Sequence, residues 1–369
     1  MIPVNEPLIG GREMDYVADC LRTGWLSSEG EYVQAFEERW AEYCGMPYGV
    51  AVSSGTTALQ VAAGCLGLEP GDEVILPAFT IISCVIAVIE AGGVPVLVDS
   101  DPRTWCLDVA QIEARITPRS RAIMPVHMYG HPADMDPILE LAAEHKLLVI
   151  EDAAEAHGAE YKGRRAGGIG DLSCFSFYAN KIITTGEGGM VLARSPEHAK
   201  RLRSLRDLAF RAERRFYHTE IGHNYRLSNV QAAIGLAQVE RIDEHVARKR
   251  GMGQCYTERL RGLPRIALPV EEPWARNVYW MYGVVLDDDV PYDAVEFARR
   301  LRAEGVDTRP FFLGMHEQPV LQARGLFQGE RYPVAERIAR RGLYLPSGLT
   351  ITEDQIDTVC ATVERVLRG

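Results

Sequence analysis

The sequence predicts an α/β fold, with a mostly parallel seven-stranded sheet in a large domain and a smaller α+β C-terminal domain. The first observation is that short apolar segments alternate with helix-like segments between about residues 49 and 193, which is typical of a parallel sheet covered on both faces. The second is the length of 369 residues with 47 % hydrophobic content, which is enough for two domains with a large core. We place the domains at residues 1–249 and 250–369.

Seven short apolar segments are predicted to be the strands of the large sheet, at residues 49–52, 73–76, 94–98, 122–125, 147–150, 172–177 and 190–193. Helices are expected between several of them, for example at residues 135–144. Residues 227–248 predict one or two helices, and residues 240–250 the start of a long helix that leaves the large domain. In the small domain we expect a strand at 279–286, a helix at 292–304 and a C-terminal helix from about Asp354.

Composition argues against several classes of function. The net charge is −11, with acidic and basic residues interleaved, so a nucleic-acid-binding surface is not expected. The chain contains no apolar run of about 18 residues and no secretory leader pattern, so neither a membrane span nor export is expected. Eight scattered cysteines without a CxxC motif predict reduced thiols and a cytoplasmic protein. The nine histidines show no metal-ligand spacing, and Asp99-Ser100-Asp101 is interpreted as a strand exit, so no metal is predicted.

Lys181 is the most informative single residue. It lies in the run 175–190, which carries no other charge before Glu187, between an alternating apolar segment and a glycine-rich one. A lysine in such a place tends to lose solvation, which lowers its pKa and leaves more neutral, nucleophilic amine at pH 7. Neutral amine is required to form an imine with an aldehyde cofactor. The alternative is a lysine that simply extends from a strand end into solvent.

Two polar features precede Lys181. Asp152 follows the apolar run 147–150, at the sheet edge where ligands of open α/β sheets bind. A carboxylate there can keep a pyridinium nitrogen protonated, although capping of a following helix is an open alternative. Residues 53–57 read Ser-Ser-Gly-Thr-Thr between a strand and a helix, and hydroxyls and free N–H groups at a helix N-terminus suit a phosphate.

Taken in chain order, these features resemble the nucleotide-sugar aminotransferase family, which consists of pyridoxal-phosphate enzymes of fold type I, the fold of aspartate aminotransferase. Eight ordered motifs carry the resemblance over nearly the whole chain: TGWLSSEG, SSGTTAL, PGDEVILPAFT, PVLVDSDPRTWCLD, AIMPVHMYG, VIEDAAEAHGA, FSFYANKIITTGEGG and GHNYRLSNVQAAIGLAQ. Within the family, the stretches DPILELA, KIITTGEGGM and SNVQAAIGLAQVER look closest to GDP-perosamine synthases.

The resemblance implies pyridoxal 5′-phosphate as the cofactor and Lys181 as the catalytic residue. The cofactor-binding residues that it implies are Gly55, Thr56, Ile81, Asp152, Glu155, Ser176, Lys181 and Asn224. Relatives often carry an aromatic residue at the position of Ile81, so either aliphatic packing or Phe79 must cover the cofactor ring here. The residues implied for the substrate are Trp25, Ser27, Phe312 and His316.

The resemblance also implies partners and a reaction. The expected amino donor is L-glutamate, and the expected acceptor is GDP-4-keto-6-deoxymannose, which would give GDP-perosamine. The expected assembly is a homodimer with shared sites, in which Asn224 reaches the cofactor phosphate of the partner.

Four alternatives compete with this interpretation, of which the first two fit the sequence equally well. Amination at C3 or of a dTDP-sugar, and amination of a keto-cyclitol of the scyllo-inosose type, fit the same motifs. A related deoxygenating enzyme would carry histidine in place of Lys181. A non-catalytic sensor would need a DNA-binding extension or a lost lysine, and the sequence shows neither.

Overall fold

The computed structural model of the chain describes residues 1–211 and 213–368. Its strands are β1 (Tyr48–Val52), β2 (Glu73–Pro77), β3 (Val94–Val98), β4 (Ser120–Ile123), β5 (Leu148–Asp152), β6 (Glu160–Tyr161), β7 (Arg164–Arg165), β8 (Leu172–Ser176), β9 (Gly189–Ala193), β10 (Ile266–Ala267), β11 (Ala275–Arg276), β12 (Tyr282–Leu286), β13 (Arg309–Pro310) and β14 (Gly342–Leu345). Its helices are α1 (Glu13–Thr23), α2 (Glu31–Cys44), α3 (Gly55–Cys65), α4 (Ile82–Glu90), α5 (Met135–His145), α6 (Pro196–Arg206), α7 (Asn229–Val239), α8 (Ile242–Leu260), α9 (Ala294–Ala303), α10 (Pro319–Gln322), α11 (Pro333–Arg341) and α12 (Glu353–Arg368).

The large sheet has the strand order β1-β9-β8-β5-β4-β2-β3. Its central pairs β2–β3, β2–β4, β4–β5 and β5–β8 are parallel, whereas β9 runs antiparallel to both of its neighbours. The strands are almost entirely buried, as expected for a sheet with helices on both faces. The predicted seven-stranded, mostly parallel α/β fold is therefore confirmed. The carboxyl ends of β5 and β8 lie side by side, so that Asp152 pairs with Cys174 one strand away.

A buried aromatic cluster packs α2 against β8. The indole of Trp40, on α2, lies 5.0 Å from the ring of Phe175 and 5.4 Å from that of Phe177, and 5.2 Å from the ring of His157. Aromatic side chains bury about 150–250 Å² each and dominate the energetics of a core. The carboxyl end of β8, which leads to Lys181, is therefore fixed by aromatic packing.

The C-terminal part forms a second, antiparallel sheet with the order β10-β12-β14-β13. A separate apolar cluster between this sheet and α8, α9 and α12 includes Tyr256, Phe297 and Val359. The predicted boundary between residues 249 and 250 lies inside α8, which begins at Ile242 and ends at Leu260. The division into two domains stays a prediction.

The strand predicted at residues 279–286 is wrong at its start. The observed strand, β12, begins at Tyr282, because Tyr279 has a positive φ of 48° and cannot continue an extended segment. The predicted strand 122–125 is observed at Ser120–Ile123, the helix 292–304 at Ala294–Ala303, and the last helix begins at Glu353. Residues 227–248 contain α7 and the first part of α8, which agrees with the prediction of one or two helices.

Asp99 has a structural role. Its two carboxylate oxygens accept hydrogen bonds from the backbone N–H groups of Val334 (3.0 Å) and Ala335 (2.9 Å) in the first turn of α11. Such an acceptor satisfies N–H groups that have no partner within the helix. Asp99 therefore connects the end of β3 to a helix of the C-terminal part, which agrees with its interpretation as a strand exit. Among the described residues, no helix is both long and apolar enough to cross a membrane.

Candidate active site

Lys181 lies in the connection between β8 and β9, just beyond the carboxyl end of β8. Its backbone N–H donates to Tyr178 O at 2.9 Å, and its side chain lines a cavity of about 310 Å³. Nζ lies 3.7 Å from the centre of the Trp280 ring. Within the described residues, Nζ makes no hydrogen bond or ion pair with a protein atom. An amine inside a cavity without a protein partner is available to a ligand.

The surroundings shift this amine toward its neutral form. Burial lowers the pKa of Lys181, and the carboxylates of Glu155 and Asp152 oppose that shift without cancelling it. The lower pKa increases the fraction of neutral amine at pH 7, which is the nucleophilic and basic form. The physical reason is the one expected from the sequence, namely loss of solvation between apolar neighbours.

Asp152 ends β5 and lines the same cavity. Its Oδ1 accepts from the Ala154 N–H at 3.1 Å, and its Oδ2 accepts from the Cys84 thiol at 3.1 Å. No helix begins between β5 and β6 in the described part of the chain, so Asp152 does not cap one. The carboxylate is held at the edge of the sheet, where it can pair with a cationic group of a ligand.

Glu155 is a second buried carboxyl beside Lys181. It accepts a hydrogen bond from the Tyr129 backbone N–H at 2.8 Å. Tyr129 has a positive φ of 51° in this arrangement. A positive φ is unfavourable for a bulky residue and is often found where function requires it. Burial raises the pKa of Glu155, and the Lys181 ammonium opposes the shift. Glu155 can therefore donate or accept a proton inside the cavity near neutral pH.

The N-terminus of α3 forms an anion-binding cradle against the end of β8. Ser54 caps the helix by accepting from the Thr57 N–H. A Cβ on Gly55 would lie 2.6 Å from the Ser176 Cβ, so only glycine permits this close approach. The Thr56 hydroxyl lies 2.9 Å from that of Ser83, near the start of α4. Backbone N–H groups of a helix N-terminus with several hydroxyls beside them suit a phosphate.

Aliphatic and aromatic side chains form the walls of the cavity. Ile81 and Val126 line it, whereas Phe79 is fully buried and contacts the rings of Tyr129, Phe311 and Phe312 instead. Of the two ways to cover a flat ring that the sequence left open, the structure supports aliphatic packing. Three further aromatic residues contribute from the C-terminal part, namely Trp280, Phe312 and Tyr344.

The structure brings some predicted residues together and leaves others apart. Gly55, Thr56, Ile81, Asp152, Glu155, Ser176, Lys181 and Phe312 all line the cavity. Asn224, Trp25 and Ser27 are exposed on the surface of this single chain and do not line it. His316 is 4 % exposed, and its Nε2 lies 3.2 Å from Glu336, so that its ring is not available to a substrate in this conformation.

Sequence analysis missed Ser83, Tyr178, Asn180, Trp280 and Tyr344, all of which line the cavity. Trp280 and Tyr344 come from the C-terminal part, about 100 or more residues from Lys181 along the chain, so no local pattern connects them to it. A signal existed only for Asn180 and Tyr178, which lie in the same motif as Lys181.

These features fit pyridoxal phosphate. The cavity provides an unpartnered amine, a carboxylate fixed at the strand end and a cradle that a Cβ at residue 55 would fill. The amine suits the aldehyde of the cofactor, the carboxylate suits its ring nitrogen, and the cradle suits its phosphate. The fold and the site together define a pyridoxal-phosphate enzyme of fold type I.

Comparison with known proteins gives the family. Residues 7–364 match the model of the DegT/DnrJ/EryC1/StrS aminotransferase family. The chain is 45 % identical to the GDP-perosamine synthase of Caulobacter vibrioides, with coverage of 99 % of this chain and 98 % of that protein. It is 39 % identical to the dTDP-3-amino-3,4,6-trideoxy-alpha-D-glucose transaminase of Streptomyces venezuelae, with coverage of 91 % and 88 %. The solved structure of S. venezuelae DesV superposes with a TM-score of 0.90 at 37 % identity, covering 97 % of this chain and 95 % of DesV.

The chain belongs to the DegT/DnrJ/EryC1/StrS aminotransferase family. It is a pyridoxal-phosphate-dependent aminotransferase. The family, the enzyme class and the cofactor that were predicted from the sequence are thereby confirmed.

We predict that Gly55→Ala weakens the binding of pyridoxal phosphate at least about tenfold, because the added methyl group separates α3 from Ser176 and distorts the cradle. Titration of the cofactor-free protein with pyridoxal phosphate, followed by absorbance, measures the affinity. Gly251→Ala is the matched control, since a Cβ at residue 251 in α8 meets no atom within 4 Å. That control should bind normally and gain up to about 1 kcal/mol of stability. Equal affinities of the two variants would show that residue 55 does not shape the phosphate site.

Proposed function

We propose that this enzyme transfers the amino group of L-glutamate to C4 of GDP-4-keto-6-deoxymannose and thereby forms GDP-perosamine. The observation that carries the proposal is the 45 % identity to a GDP-perosamine synthase over 99 % of the chain. The lower identity, 39 % over 91 % of the chain, to a transaminase of a dTDP-sugar makes dTDP-keto sugars the competing substrates. Eight free thiols, six of them buried, fit our placement of the reaction in the reducing cytoplasm.

Lys181 is assigned the transfer of protons. When bound, pyridoxal phosphate supplies an aldehyde that condenses with amines and a ring that delocalises negative charge. In its neutral form, Nζ of Lys181 would accept the proton from the α-carbon of the amino donor and deliver it to the cofactor carbon that carries the transferred nitrogen. Burial lowers the pKa of this amine, which increases the fraction that can act as a base near pH 7.

Asp152 and Glu155 are assigned different roles by their contacts. Asp152 holds a proton on the ring nitrogen of the cofactor, and its hydrogen bonds to Ala154 and Cys84 keep the carboxylate in place. Glu155 accepts the Tyr129 N–H on one of its oxygens and lies beside Lys181. Its burial raises its pKa. We assign it to the polar edge of the cofactor ring, as an acid that shares a proton with the neighbouring groups.

The remaining cavity residues bind the cofactor and keep water out of the cavity. Thr56 and Ser176, with the N–H groups at the start of α3, bind the phosphate of the cofactor. Ile81 packs against the ring. Phe312 and the aromatic residues near it line the side of the cavity that faces the C-terminal part. We expect the sugar to bind against these rings.

The active unit that we propose is a homodimer with shared sites. Asn224, Trp25 and Ser27 lie on the surface of one chain, although the family resemblance assigns them to the cofactor and the substrate. Large apolar side chains are exposed in the same segments, with Trp25 57 % and Ile221 84 % exposed. Exposed apolar side chains that cluster in this way are typical of a surface that a partner covers. A second copy would bury these residues and bring Asn224 to the neighbouring site.

A coupled assay tests the substrate. The purified enzyme, loaded with pyridoxal phosphate, is supplied with L-glutamate and one acceptor, which is GDP-4-keto-6-deoxymannose, the dTDP-linked 4-keto-6-deoxyglucose or a keto-cyclitol, and the product is identified by NMR. We expect a 4-amino sugar from the GDP-linked substrate, with at least about a hundredfold higher kcat/KM than for the dTDP-linked one. Lys181→Ala is the control and should give no product. Turnover of the dTDP-sugar or a keto-cyclitol without turnover of the GDP-sugar would refute the assignment.

A mixing experiment tests the shared site. Asn224→Ala should weaken cofactor binding about 10- to 150-fold, because it removes a hydrogen bond to a charged phosphate. When this variant is mixed with Lys181→Ala at limiting cofactor, each heterodimer has one site with both changes and one with neither. Activity should therefore rise above that of either parent.

The control for that experiment is a mixture of Lys181→Ala with Gly55→Ala. Gly55 and Lys181 line the cavity of the same chain, so this mixture should gain no activity. If the Asn224→Ala mixture also gains none after subunit exchange has been verified, Asn224 serves its own chain and the shared-site model is wrong.

A further inference from the structure

Lys249 is a second buried lysine, outside the cavity. It lies in α8, is 1 % exposed, and its Nζ donates to Trp280 O at 2.7 Å and to Ser347 O. Among the described residues no carboxylate forms an ion pair with it, and burial alone lowers its pKa to about 7. A neutral amine carries two N–H groups, which match the two carbonyl acceptors. The position therefore uses the amine as a donor to two carbonyls, in either protonation state.

One face of α8 contacts the chain on both sides of the active-site amine. His245 precedes Lys249 by one helical turn, so the two side chains project from the same face. The Nδ1 of His245 lies 3.2 Å from Ile182 O, next to Lys181. Lys249 contacts the Trp280 carbonyl in the segment that crosses over Lys181. The helix thus fixes both the chain that carries the amine and the chain that covers it.

Trp280 is the link between Lys249 and the cavity. Its indole Nε1 donates to Asn180 O at 2.8 Å, and its ring centre lies 3.7 Å from Lys181 Nζ. The preceding residue, Tyr279, has a φ of 48°, which is unfavourable outside glycine and persists only where the surroundings hold it. On the backbone side, the Trp280 carbonyl accepts a hydrogen bond from Lys249 Nζ. Loss of that donor would release one end of Trp280.

We propose that Lys249 is a positioning residue, which holds the Trp280 indole over Lys181 Nζ and so keeps water away from the active-site amine. The proposal rests on the proposed role of Lys181. Without the Lys249 amine, two buried carbonyls lose their donor, and buried polar groups without partners draw in water or move toward another donor. The segment around Trp280 would shift, and the cavity above Lys181 would open.

The opening has two opposing effects on Lys181. Loss of the ring face removes a cation–π contact, which is worth about 0.5–2 kcal/mol and would lower its pKa. Desolvation lowers the pKa of buried lysines by up to about 3–5 units. Entry of water removes this desolvation and would therefore raise the pKa of Lys181. Since desolvation is the larger effect, we expect the pKa of Lys181 to rise.

The test compares Lys249→Met, which keeps an unbranched side chain one atom shorter and removes the donor, with Arg248→Met on the exposed side of the same helix. Fluorotryptophan is incorporated at the five tryptophans, and the Trp280 resonance is assigned with Trp280→Phe. In the cofactor-free protein, competitive acetylation of Lys181 against pH, read by mass spectrometry, gives its pKa. The chain has only five lysines, and the exposed Lys146 and Lys200 serve as internal references.

In Lys249→Met we expect a shifted Trp280 resonance, unchanged resonances of the other tryptophans, and a Lys181 titration that moves up by about one pH unit. With cofactor bound, kcat should fall at least about tenfold, while KM for the amino donor changes less. If a folded Lys249→Met retains the Trp280 resonance or the Lys181 titration of Arg248→Met, the proposal is overturned.

Two further points keep the test decisive. If Lys249→Met does not fold, Lys249→Gln replaces it, because the amide retains donors on a side chain one bond shorter and should give the same changes at smaller size. The resonance and titration measurements use no sugar substrate. Failure of the GDP-sugar assay with both shifts present would therefore refute the substrate and leave the role of Lys249 standing.

Discussion

The site depends on one constraint, which is that the Lys181 amine must stay unpaired and poorly solvated in a cavity that also holds two carboxyl groups. Two carboxyl groups, Asp152 and Glu155, lie near enough to oppose the shift of its pKa, and neither forms an ion pair with it in the described structure. A buried ion pair would fix the lysine in its charged form. The hydrogen bonds that Asp152 accepts from Ala154 and Cys84, and that Glu155 accepts from Tyr129, occupy those carboxylates with other donors.

The fold creates this constraint by bringing separate segments to one sheet edge. In a mostly parallel sheet the carboxyl ends of neighbouring strands meet, so β5 delivers Asp152 and β8 delivers Ser176 and the chain to Lys181. The packing of Trp40 against Phe175 and Phe177 makes β8 a rigid support. The C-terminal part adds the cover, through Trp280 and Tyr344. The sheet and the helices packed on it thus act as a scaffold that positions one amine.

The sequence predicted the parts of this arrangement that depend on local pattern. The buried strands, the helix that begins in residues 53–57 and the isolated Lys181 each lie within a short segment whose composition determines its structure. The start of the strand at residues 279–286 was predicted wrongly, because the apolar residues Tyr279 and Trp280 follow a strand pattern while their backbone turns at a positive φ. The contacts of Lys249 and Trp280 join residues far apart in sequence, and no periodicity reveals them. In the homodimer that we propose, the roles predicted for Asn224, Trp25 and Ser27 depend on a second chain, so that one chain alone does not test them.

Trapping of the cofactor tests the central claim most directly. The protein is loaded with pyridoxal phosphate and reduced with borohydride, which fixes the cofactor to the amine that holds it, and the peptides are mapped by mass spectrometry. The chain contains five lysines, of which Lys146, Lys162 and Lys200 are exposed and Lys249 is fully buried. We predict that the label is found on Lys181 alone, near one cofactor per chain. A label spread over the exposed lysines, or absent from Lys181, would contradict the account.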